Sequence, residues 1–283
     1  MIKANPTIFK FYLTMLDSFS EYLSQKYSKS SLDNPNHYKT IIIKKIVRMF
    51  HTLDELTKVS KDEVSTRCVL RGVLDNVTTY CFIYQREDQS DTMFRHLLYA
   101  LDGFTTYKKA IVDGILEEGI DKSQFEYSCH VVITQLKQKL FTHPYNDINN
   151  KNVETIIKNN NWKYESLDKP KSLTFHSMYK HIINDTKLVN YYQNILSQYT
   201  HGLCLSNTPY IDTEQLQKVL FESIPLADRM IQGICRTFPY KEMLDNFRKS
   251  DSYKKILNCQ GFDHNELLEF AKAIIKKDKT LYF

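Results

Sequence analysis

Glycine and proline are scarce: the chain has 7 of each among 283 residues, under half of the roughly 12% that average usage supplies. Sheet proteins use both in hairpins and bulges, whereas a helical chain needs only a breaker at each connection. The scarcity points to an all-α fold. Cysteine is sparse too. The six, at positions 68, 81, 129, 204, 235 and 259, form no C-x-x-C pair and no dense framework, which reads as reduced, mostly buried thiols in a reducing compartment. Long uncharged apolar runs are missing. The stretch from Ile8 to Leu16 is short and carries Lys10, and nothing approaches the roughly 20 residues that cross a bilayer. A soluble cytoplasmic protein without a membrane segment is the expectation. No P-loop, dinucleotide fingerprint or zinc-ligand spacing occurs, and His176 and His181 diverge on a helix, so neither a metal nor a cofactor is expected.

Charge excludes little. The 38 Lys and Arg against 33 Asp and Glu leave +5, dispersed along the chain, which permits nucleic-acid binding without demanding it. One basic cluster, Lys272, Lys276, Lys277 and Lys279, reads as a solvated helix end.

What the chain has in quantity is apolar residues at helical spacing. The spacing predicts helices over 7–26 and 37–56, paired as a hairpin, and a third running from the capping box of Ser60 and Glu63 to about Arg86. A fourth carries Met93, Leu97, Leu101, Phe104, Ile111 and Ile115, and a fifth over 122–141 carries Phe125, Cys129, Val132, Leu136 and Leu140. The Asn-rich stretch 144–161, with a short amphipathic piece at Val153, Ile156 and Ile157, reads as a surface excursion, and the sole tryptophan, Trp162, stands just beyond it. Helices resume over 173–183 and 187–201, with Gly202 as a stop. After a second capping signal at Asp212 and Gln215, a helix runs toward Phe238 and bends at Pro225. The whole of 1–283 is expected to be a single all-α domain, with an N-terminal hairpin over 1–59, a motif-bearing core over 60–211 and a C-terminal extension over 212–283.

Two helices carry polar residues that packing does not require. The third is apolar almost all round, yet one side bears Arg67, Arg71, Asp75 and Thr78 between apolar flanks. A partly buried guanidinium needs a partner. An Arg71–Asp75 pair at i, i+4 is the plain explanation; the alternative is that Arg71, reinforced by Arg67, binds phosphate or carboxylate in a cleft. The other helix places Asn194, Ser197 and His201 on one face by i+3 and i+4 spacing. His201 stands in the last turn, where the dipole attracts cations, and an imidazole there can move protons near neutrality. Capping of exposed carbonyls is its plain role. Ser197 and His201 lack the nucleophile elbow and oxyanion loop of a hydrolytic dyad.

These two helices resemble a bacterial family of helical proteins that pairs R-x-x-x-E with a later Y-x-x-L-S-x-x-x-H-G/P segment. Arg71-x-x-x-Asp75 and Tyr192-x-x-x-Leu196-Ser197-x-x-x-His201-Gly202 stand in those places, with Trp162 near the family's tryptophan region, over about 60–210. Such families are similar to the HEPN helical bundles, whose active members are metal-independent ribonucleases of toxin, abortive-infection and antiviral systems. The resemblance implies RNA cleavage by Arg71 and His201, with Ser197 and Asn194 beside them, commonly across a homodimer. Beside them, Arg67 and Asp75 are the candidate substrate contacts, and the rings of Tyr192 and Tyr199 would stack on bases if they line the same pocket, although plain core packing is the simpler role for each. The HEPN signature itself is R-x4-6-H on one segment. Here Asn194 occupies the nearest equivalent position, so the arginine would have to come from the third helix. The competing expectation is a non-enzymatic interaction module, an antitoxin, adaptor or defence-complex subunit, that binds a protein partner.

Overall fold

Residues 6–29, 34–112, 121–148, 151–201, 213–251 and 253–254 are described by a computed structural model. Among them there is no strand, only an isolated bridge between Tyr164 and Ser172. The all-helical expectation holds for these residues. Helix α1 spans Pro6–Lys26, α2 Pro35–Glu55, α3 Glu63–Tyr84, α4 Gln89–Val112, α5 Lys122–Phe141, α6 Lys151–Lys158 and α7 Phe175–Ile182. Then come α8 Thr186–Tyr191, α9 Ser197–Thr200, α10 Thr213–Thr237 and α11 Tyr240–Lys249. No described helix is long and apolar enough to cross a membrane. The expected Lys272–Lys279 cluster, Gly202, Cys204, Cys259 and Asp212 lie outside the described residues, as do the side chains of Ile111, Ile115 and Gln215. The four described cysteines, Cys68, Cys81, Cys129 and Cys235, are free thiols.

The chain divides into two compact units, one built from the residues up to Gln85 and from Phe175 onward, the other from Arg86–Thr174. In the first, α1 packs on α2, α2 on α3, α3 on α10 and α10 back on α1, closing a ring of four long helices. Phe11, Leu16, Phe19, Ile43, Leu53, Leu74, Val77, Ile231 and Ile234 fill it. The helix α3 also carries α7 and α9 on its remaining side. This enclosure explains its all-round apolar sequence: from Val77 to Gln85 every residue is buried, as a core helix requires.

The start of α3 differs from expectation. Asp62, not Ser60, caps it, accepting from the Ser65 backbone N–H at 3.1 Å. Ser60 instead ends a π-helical turn, Leu56–Ser60, that extends α2. Lys61, at φ 50° in the left-handed region, then reverses the chain. A second π turn, Tyr192–Leu196, joins α8 to α9. Pro225 lies inside α10, which continues through it as one element.

In the second unit α4 packs on α5, and Leu101 of α4 and Leu136 and Leu140 of α5 are buried. Along 144–161 only Val153 and Ile156 are buried among the described side chains, as in an excursion over the surface. Trp162 is buried and donates from its indole to Asp102 at 3.2 Å. Arg95, fully buried, reaches the backbone carbonyls of Trp162 at 3.1 Å and Tyr164 at 2.8 Å and pairs with Asp91 at 3.0 Å. Its guanidinium stacks 3.6 Å from the Tyr164 ring centre. An arginine supplies the donors that an irregular buried backbone needs.

A second buried cation sits in the first unit. Lys39, 6% exposed, has no carboxylate partner among the described residues; it donates to Asn36 at 3.1 Å and lies between the rings of Tyr84 and Phe238 at 5.5 and 5.3 Å. Burial lowers its pKa to about 8. The unfolded chain then binds the proton more tightly than the folded one, so the cost to stability is fully present below pH 8. It fades as pH rises toward the unfolded value of about 10.4. Lys39→Met is expected to be more stable than wild type at pH 7 by about 1–3 kcal/mol, the aromatic rings offsetting part of the charge burial. Urea unfolding at pH 7 and pH 10 checks this: the gap between variant and wild type should narrow at the higher pH.

Candidate functional site

The polar stripe of α3 meets α7, α8 and α9 within the first unit. Arg67, with its side chain 8% exposed, donates from Nε to Glu63 at 2.8 Å and from Nη1 to the Tyr191 hydroxyl at 2.7 Å. Glu222 of α10 lies 3.5 Å from the same Nη1, and the Tyr199 ring centre is 5.0 Å from the guanidinium carbon. The Tyr199 hydroxyl in turn donates to Glu63 at 2.9 Å. Burial opposes the charge on Arg67, but the Glu63 hydrogen bond, with Tyr191 and Glu222, outweighs it and raises the guanidinium pKa. Burial likewise pushes the Glu222 carboxyl up and the Tyr191 phenol up. Arg67 is therefore a tie between α3, α8, α9 and α10, closed to a ligand on the sides these groups occupy.

Arg71, one turn further along α3, is differently placed. Its Nε faces Asp75 at 3.3 Å and its Nη1 donates to the Ser197 hydroxyl at 3.3 Å. The Tyr179 ring centre lies 5.2 Å from its guanidinium carbon, and the Tyr179 hydroxyl donates to Asp75. The Arg71 and Asp75 side chains are 16% and 34% exposed. A guanidinium has five N–H donors, so these two bonds leave others that a solvent-borne anion can reach. Ser197, accepting from Arg71, keeps its own proton to donate.

The structure brings Arg71, Asp75 and Ser197 together, and His201 follows Ser197 at i, i+4, its backbone N–H bonded to the Ser197 carbonyl at 3.1 Å. His201 is the C-cap of α9, at φ −99° and ψ 10°. The imidazole is exposed and makes no hydrogen bond to a described residue. Asn194 falls in the π turn and is exposed, and like His201 its side chain has no hydrogen bond to Arg71, Asp75 or Ser197 among the described residues. Tyr192 is displaced: it continues the buried stripe of Val189 and Leu196, is fully buried, and donates to the backbone carbonyl of Glu222. It offers no face for a base. Tyr199 remains half-buried, with one partner at its ring and one at its hydroxyl.

Four participants were not read from the sequence: Glu63, Tyr179, Tyr191 and Glu222. Glu63 was assigned to capping, although its i, i+4 relation to Arg67 was a usable signal. The others come from distant segments, and only tertiary packing brings them in. Among the described residues no three His, Cys, Asp or Glu side chains gather as a metal would require.

Removing one partner of a buried ion pair costs about 3–5 kcal/mol, whereas a partly exposed pair contributes about 1 kcal/mol or less. Arg67→Met should therefore lower stability by about 3 kcal/mol and Arg71→Met by no more than about 1 kcal/mol. Equal losses in urea unfolding would contradict the division of roles between the two arginines. No family description, curated protein or solved structure matches the chain, so the geometry of α3 and α9 is what bears on its function.

Proposed function

We propose that the chain is a HEPN-like, metal-independent endoribonuclease of a bacterial defence or toxin system, acting in the cytoplasm as a homodimer. The observation that supports this reading is the hydrogen bond of the Arg71 guanidinium to Ser197, the residue four before His201 in the chain. In the reaction, the RNA 2′-hydroxyl passes its proton to the His201 ring and attacks the adjacent phosphorus. The P–O5′ bond breaks and the 5′-oxygen takes a proton from water, which regains one from the His201 ring, leaving a 2′,3′-cyclic phosphate and a 5′-hydroxyl end. Arg71 stabilises the charge that builds on the non-bridging oxygens, and Ser197 donates to one of them. Asp75 and the Tyr179 ring hold the guanidinium in place.

One observation favours a second reading, a non-enzymatic interaction module bound to a protein partner. Each arginine already faces a carboxylate of its own chain, Glu63 and Glu222 for Arg67 and Asp75 for Arg71, as in a purely structural network.

Cleavage of RNA by the purified chain in the presence of a chelator separates the two. Wild type should release cyclic-phosphate ends, and His201→Ala and Arg71→Ala should each lose about a hundredfold or more in rate. A folded wild type that cleaves nothing, or equal rates in all three proteins, sinks the nuclease and leaves the interaction module.

A further inference from the structure

A departing 5′-oxygen needs a proton, and an imidazolium supplies one far more readily than water does near neutrality. The helix α7 forms a wall of the Arg71 cluster. It packs on α3, and from it Tyr179 donates its hydroxyl to Asp75 and sets its ring 5.2 Å from the Arg71 guanidinium carbon. His176 stands one turn before Tyr179 on the same helix, and residues at i, i+3 are neighbours on a helix surface, with Cβ atoms about 5–6 Å apart. The imidazole is half-buried. Its Nδ1 is buried and has no hydrogen-bond partner among the described residues, whereas Nε2, which bonds to no described residue either, keeps access to solvent. On α3 the polar stripe ends in Thr78, about 20° from Arg71 around the helix axis. Thr78 is fully buried, and its hydroxyl too has no partner among the described residues. The two helices of this wall thus carry two buried polar atoms that the packing of the first unit leaves unbonded. Buried polar groups are nearly always bonded, and a catalytic role is one of the few reasons for an exception.

We propose that His176 is the general acid of the cleavage, giving the proton on Nε2 to the departing 5′-oxygen in place of water, while His201 takes the proton of the 2′-hydroxyl. This role rests on the nuclease reading and adds a residue to it. The protons balance: His201 gains the one that the 2′-hydroxyl loses, the P–O5′ bond breaks as His176 gives up its own, and exchange with solvent returns both rings to their starting forms. An imidazolium also donates from its second nitrogen. The unbonded Thr78 hydroxyl is the acceptor that α3 offers to the buried Nδ1–H, directly or through one water, which makes Thr78 a positioning residue.

Two RNA strands test this, both methylated at every 2′-oxygen but one, so that each has a single cleavable linkage. In the second strand sulfur replaces the 5′-bridging oxygen of that linkage. A thiolate leaves without a proton, so loss of a general acid slows cleavage of the first strand and spares the second. His176→Gln and His176→Ala should each cleave the oxygen-bridged strand about a hundredfold more slowly than wild type and the sulfur-bridged strand at nearly the wild-type rate. Thr78→Val should show the same pattern in weaker form, and His201→Ala should be slow on both strands. Circular dichroism of the two His176 variants should match wild type. Equal losses on the two strands in both His176 variants, or no loss on either strand, would overturn the role of His176 and leave the nuclease standing, because wild type still cleaves. A wild type inert on both strands overturns the nuclease and this role with it.

Discussion

A guanidinium withdrawn from water costs several kcal/mol unless acceptors surround it, and Arg67 imposes that condition at the middle of the first unit. Its partners come from four places. Glu63 lies one turn back on α3, Tyr191 at the end of α8, Glu222 on α10, and Tyr199 lays its ring against the charge. Because these elements must converge to satisfy one side chain, the segment from Thr186 to Thr200 can sit on α3 in few ways. The contact between Arg71 and Ser197 is a consequence. Arg71 itself, less buried and more loosely held, is free of that structural duty and open to another.

The second unit uses arginine in the same manner for a different purpose. Arg95 has no exposure at all, and its donors go to the main chain around Trp162 and Tyr164 as well as to Asp91. The segment it holds has little regular structure of its own, so its carbonyls would otherwise lie buried without donors. In both units a charged side chain organises what apolar packing alone would leave loosely specified.

Most of the helices were legible because an amphipathic helix writes its period into the sequence; α5, expected over 122–141, runs Lys122–Phe141. The Arg71–Asp75 pair was legible for the same reason, since i, i+4 neighbours meet on any helix. What escaped has no local signature. A π turn is an insertion into an otherwise helical pattern, and nothing in the residues from Tyr192 to Leu196 distinguishes it from the α-helix that the spacing suggested. The burial of Trp162 has no local signal either, since the arginine that binds its carbonyl lies 67 residues earlier. Tyr179, Tyr191 and Glu222 join the site only through folding of segments far apart in the chain.

The π turn from Tyr192 to Leu196 also works as slack. Each residue of an α-helix advances the side-chain direction by about 100°, whereas a turn closed by i→i+5 bonds spends one residue more on the same rotation. The extra residue is thus taken up inside the turn, and the segment beyond it keeps its heading. A chain one residue shorter between Tyr191 and Ser197, regular throughout, would present Ser197 in about the same direction, so the Arg71–Ser197 contact tolerates a one-residue change of length at this place.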